Sequence, residues 1–116
     1  MIDVSTTNMK EELESNLKVI LRSADLVYDS KDYTSATILY FKALFCILDI
    51  ALLKKTGQAP TSHKERFRTL EKEMPAEYTL IDKYFPIYQQ TYTTQTSRED
   101  CNEIRKLVKD LEKRSI

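Results

Sequence analysis

The stretch Ala36-Thr37-Ile38-Leu39-Tyr40-Phe41-Lys42-Ala43-Leu44-Phe45-Cys46-Ile47-Leu48-Asp49-Ile50-Ala51-Leu52-Leu53 decides how the rest of this 116-residue chain folds. Only Thr37, Lys42 and Asp49 in it are not apolar. The pattern predicts a helix from Thr34 to about Lys55, stopped at Gly57, the residue type that enters the left-handed C-cap conformation without strain. A helix apolar nearly all round is central in a bundle, shared with a subunit interface, or a membrane span. As a span it would carry Lys42 and Asp49 near the bilayer centre at ~3 kcal/mol each, with no topogenic charge on its flanks. A core helix is the better reading. Lys42 and Asp49 are seven residues apart and so project in nearly one direction, a narrow wet edge on a dry cylinder. Tyr40, Phe41, Leu44, Phe45, Leu48 and Leu52 then belong to the core or to a dimer interface. One neighbouring helix is too little to cover so much apolar surface, and the excess predicts a homodimer along this helix.

Upstream, Leu13, Leu17, Ile20, Leu21, Ala24 and Val27 recur at three- and four-residue steps, a helix face beginning at Asn8 with Glu11 in the capping-box position and ending near Tyr28. The short polar link Asp29-Ser30-Lys31-Asp32 makes the first two helices antiparallel neighbours. Downstream, Ser62 with Glu65 opens a third helix carrying Phe67, Leu70 and Met74. Pro75 suits the first turn of a fourth, in which Tyr78, Ile81, Phe85 and Tyr88 share a face and Tyr84, Tyr88 and Tyr92 form a line. Pro86 inside it predicts a kink or a break. After the polar run Thr91 to Thr96, Ser97 and Asp100 cap a last helix with a seam of Cys101, Ile104, Leu107, Val108 and Leu111. The fold class is all-α, an up-and-down bundle of four to five helices in a single domain over 1–116.

Composition narrows the function classes. Eighteen basic residues balance eighteen acidic ones. The halves are even too, 7 basic against 8 acidic in 1–58 and 11 against 10 in 59–116. That is no basic footprint for nucleic acid. The first residues do not read as a secretory signal, which predicts a cytoplasmic protein. Cys46 and Cys101 fall on apolar faces and read as inert thiols, and two Cys with one His are too few for a structural metal site. No cofactor is expected.

Taken together, Ala36, Leu39-Tyr40-Phe41-Lys42-Ala43-Leu44-Phe45, Ala51-Leu52-Leu53, Gly57, Pro60 and Ser62-His63 resemble the core of the HEPN family. There a long apolar helix with aromatic residues ends in a Gly and Pro loop, and a Ser-His pair opens the next helix. The resemblance covers about residues 10–114. It implies a dimerising helical bundle, company with a minimal nucleotidyltransferase in a toxin-antitoxin type of pair, and in many members metal-independent RNA cleavage by an Arg followed four to six residues later by a His. The chain departs from that last pattern. The region matching the family's cleavage site reads Ile87-Tyr88-Gln89-Gln90-Thr91-Tyr92-Thr93-Thr94, and the positions five to seven residues before His63, the one His, are Gln58, Gly57 and Thr56. With no second imidazole and no spaced carboxylate pair, no acid and base are poised near neutral pH.

The expected function is therefore that of a non-catalytic HEPN-like binding or regulatory module. His63 and Arg66, one turn apart at a helix start, are candidates to grip an anion, although a charged imidazole is disfavoured beside a helix's positive end. Tyr88, Gln89, Gln90 and Tyr92 are candidates for a ligand or partner surface. Two alternatives stand beside this reading. One is an RNA-cleaving HEPN toxin with a divergent site. The other is a tetratricopeptide-like interaction module, suggested by Ile20, Ala24, Val27, Ala36, Tyr40 and Ala43 but lacking a second copy of the repeat.

Overall fold

The computed structural model describes residues 4–114, with side chains from residue 8 onward. Five helices follow in order: α1 (Val4–Asp29), α2 (Tyr33–Thr56), α3 (His63–Glu73), α4 (Pro75–Gln90) and α5 (Arg98–Arg114). No strand occurs among the described residues. The ends of the helices follow local chemistry. Asp32 caps α2 by accepting from the Ser35 N–H at 3.0 Å, and Gly57, at φ 81°, ends it with its N–H on the Leu53 carbonyl. Ser62 accepts from the Glu65 N–H and Ser97 from the Asp100 N–H, two side-chain caps satisfying donors the helix leaves open.

Two local expectations need correction and a third is narrowed. Asn8 is no cap, because α1 already runs from Val4 and Asn8 lies inside it. The capping box at Ser62 is half formed, since the Glu65 carboxylate turns to the backbone N–H and hydroxyl of Thr61 instead of the Ser62 N–H. Pro86 does not split the fourth segment, which is one helix through Gln90; at the other end Pro75 sits in the first turn, where its missing N–H removes nothing.

α2 is the axis of the bundle. Tyr40, Phe41, Leu44, Leu48 and Leu52 are at most 1% exposed, and Phe45 is also buried. α1 lies along it antiparallel, as the pairs Tyr40 with Asp25 and Cys46 with Leu13 show. α5 lies along another side in the same direction as α2, pairing Thr34 with Thr96 and Tyr40 with Arg105. α3 also runs with α2, since Phe45 meets His63, Asp49 meets Arg66 and Lys55 meets Glu73. The loop of 57–62 therefore carries the chain back along α2 before α3 starts, and α4 then returns beside both. Direction reverses at every connection except the one between α2 and α3.

This packing changes the reasoning about α2. α3, α4 and α5 together cover most of what α1 leaves, so little apolar surface remains on this helix, Ile38 at 38% exposure being the large side chain still open. The same helix is long and apolar enough to cross a membrane, with a mean hydropathy of 2.0, yet 83% of that stretch is buried inside the bundle. Nor is its charged edge wet throughout. Lys42 is exposed as expected, but Asp49 is only 7% exposed. A buried carboxylate needs a partner, and the sequence did not show where it was.

Candidate functional site

Asp49 finds that partner on α3. The Arg66 guanidinium donates from Nε to Asp49 Oδ1 at 2.7 Å and from Nη2 to Oδ2 at 2.9 Å, a two-pronged pair in which both side chains are 11% exposed. Helix spacing places Arg66 one turn beyond His63, and the third prong, Nη1, reaches the His63 ring at Nδ1, 2.7 Å away. A guanidinium has no acceptor, so Nδ1 must accept and the imidazole proton must sit on Nε2. Burial pushes the His63 pKa down, the Arg66 charge pushes it further, and Asp49 pulls it partly back. The single His is thus a neutral imidazole near pH 7, with its basic nitrogen already occupied.

Around this cluster stands an aromatic wall. The His63 ring meets Phe45 edge-on at 4.7 Å between centroids and lies 6.1 Å from Tyr88. The Arg66 guanidinium also sits 4.8 Å above the Phe45 ring, a contact that favours a fixed, weakly hydrated cation. Phe85 packs against Phe67 and Tyr88 behind them. Tyr88 and Tyr92 share a hydrogen bond between hydroxyls at 3.1 Å, and that bond together with burial raises the Tyr88 pKa to about 12.

The wall forms one side of a groove of about 350 Å³ over α2. α1 supplies the opposite side through Leu13, Asn16 and Ile20, and α2 the floor through Ile38, Lys42, Phe45, Cys46 and Asp49. Lys42 has no carboxylate partner among the described residues. The Cys46 thiol donates to the Leu13 carbonyl, and burial, helped by Asp49, raises its pKa to about 11, so it is an inert wall rather than a nucleophile. Cys101, the second free thiol, is buried in the core and does not line the groove. No group of three His, Cys, Asp or Glu side chains stands together among the described residues.

Of the predicted surface residues, the structure brings His63, Arg66 and Tyr88 into this groove. Tyr92 is 75% exposed and touches only its rim, through Tyr88. Gln89 and Gln90 are exposed at the end of α4 and are not among the residues that line the groove. Lys42 and Asp49, noticed in the sequence only as a polar edge, are the residues that reading missed as part of a site. Their seven-residue spacing was the available signal. The fold and groove thus define an all-helical protein with a small amphipathic cleft beside a buried ion pair. No protein-family model, curated protein or solved structure matches this chain.

Proposed function

We propose that the chain is a non-catalytic helical module that binds a ligand or partner in the groove between α1 and the α3–α4 pair. The observation that carries this reading is the state of His63. General base catalysis needs a nitrogen free to take a proton, and Nδ1 is already bonded to Arg66. Arg66 in turn is tied to both oxygens of Asp49, so neither its charge nor the carboxylate is free to serve a reacting group. The polar cluster is arranged to hold a shape, and the groove beside it offers apolar surface and the exposed amine of Lys42.

The HEPN resemblance adds three further proposals: a homodimer, a minimal nucleotidyltransferase as partner in a toxin-antitoxin type of pair, and a cytoplasmic setting. Met9, Val19 and Leu26, 44%, 49% and 65% exposed along α1, offer apolar surface for association of copies. Two buried free thiols suit a reducing compartment. The test is an RNA-cleavage assay in the presence of a chelator, run on the wild type and His63→Ala, together with capture of host proteins by the wild type and Lys42→Glu. The reading expects no cleavage by either protein and a captured partner that Lys42→Glu loses. Cleavage by the wild type that His63→Ala abolishes would contradict it.

A further inference from the structure

The groove has an uneven balance of hydrogen-bonding groups, and this balance selects what it can hold. Both oxygens of Asp49, its one carboxylate, are taken by Arg66. The Leu13 carbonyl accepts from Cys46, and the Tyr88 hydroxyl is paired with Tyr92. What remains on the donor side is the Lys42 ammonium and the Nε2–H of His63. Neither has a partner among the described residues, while the Asn16 amide can serve either way. One cation, Arg66, is cancelled by one anion, Asp49, so Lys42 leaves the cleft with a single uncompensated positive charge.

Resting on the reading of this groove as a binding site, we propose that its ligand is a small monocarboxylate with an aromatic or short aliphatic body. The carboxylate would take the place beside Lys42 and His63 Nε2–H, and the body would lie on Phe45 and Ile38 between Leu13 and Tyr88. Size supports a small molecule over a peptide helix. A volume of about 350 Å³ is at the lower end for ligand clefts, with room for on the order of a dozen water-sized groups. Charge supports one negative charge over two. A ligand with a cationic head would meet Lys42 and Arg66 and find no free carboxylate.

The test uses 3-phenylpropionate, 3-phenylpropanol and 3-phenylpropylamine as probes of one shape and three charges, titrated into the isotope-labelled full chain and followed by amide chemical shifts. The proposal expects the shifts to centre on Leu13, Lys42, Phe45, His63 and Tyr88. It also expects the carboxylate to bind about tenfold or more tighter than the alcohol, with the amine weakest. Lys42→Gln, an exposed substitution, should remove the preference, bringing the carboxylate to within about twofold of the alcohol measured on the same variant. Equal binding of the three probes, tighter binding of the amine, a preference that survives Lys42→Gln, or no shifts in the groove up to the solubility limit would each overturn it. Capture of a partner sensitive to Lys42→Glu alongside any of those results would leave the binding-module reading standing and remove the ligand class alone.

Discussion

Two carboxylates bridge to neighbouring helices around α2, one on each side of the molecule, and they are held in opposite ways. On the groove side, Asp49 and Arg66 form a two-pronged pair with both side chains 11% exposed. On the other side, Asp25 of α1 accepts from the Tyr40 hydroxyl and from Lys109 at 2.8 Å, with Arg105 3.9 Å away. Those three charged side chains are 38–40% exposed. The hydrogen bonds from Lys109 and Tyr40 and the nearby cations hold the Asp25 carboxyl below its ordinary pKa in spite of its partial burial, which acts the other way. Tyr40, fully buried, has its phenol pushed well above its usual range by burial and by Asp25. The same chemistry therefore gives a structural lock on one side and a solvated bridge on the other, and the difference is water. A buried pair has already lost its hydration, so breaking it strands a charge. An exposed pair exchanges its partner for solvent at little cost.

The sharpest way to break this contrast is to remove one member of the lock. Arg66→Ala should lower stability by about 3–5 kcal/mol in a denaturant melt, because Asp49 is left buried without its partner. Replacing Asp49 and Arg66 together by Leu and Met should recover most of that loss. A cost for Arg66→Ala below about 1 kcal/mol would place the pair in water after all. Leu44→Ala, in the core between the two regions, should cost about 2–5 kcal/mol through lost burial and the cavity left behind. A loss below about 0.5 kcal/mol, the size of an ordinary surface change, would show that α2 is not enclosed there. On the solvated side, Lys109→Ala should cost less than about 1 kcal/mol, with the remaining partners of Asp25 and solvent making up the difference.

The smallest expected effect is in pH. The folded His63 pKa lies below the ordinary value of 6.5, so the unfolded chain binds this proton more readily. His63 therefore favours folding above about pH 6.5, and its contribution falls as the medium is acidified through that value toward the folded pKa. The lowered carboxyls Asp25, Asp32 and Glu65 titrate well below this window. Thermal melts between pH 7.5 and 5.5 should thus show a decline in the wild type that is flattened in His63→Gln. An unchanged slope in the variant would mean that burial and the Arg66 charge do not hold His63 neutral.

How much of this was legible beforehand depends on the range of the interaction. The helices could be read because caps and periodicity are local: Gly57, Ser62, Pro75 and Ser97 each act within a turn or two. The core face of α2 could be read from its composition alone. The errors arose where a residue's fate is set by a distant one. Asp49 looked wet because nothing near it in sequence neutralises it, and Arg66 is seventeen residues away on another helix. That α3, α4 and α5 enclose most of α2 was hidden in the same way, because their packing against it is not written in α2 itself.

The most direct test of the enclosed axis is native-state hydrogen exchange of the amides from Phe41 to Leu53. The account predicts that they exchange only through global unfolding, with an opening free energy equal to that of the denaturant melt at the same protein concentration. Exchange at a clearly lower free energy, or protection that disappears on dilution, would show that this helix is covered by something other than its own chain.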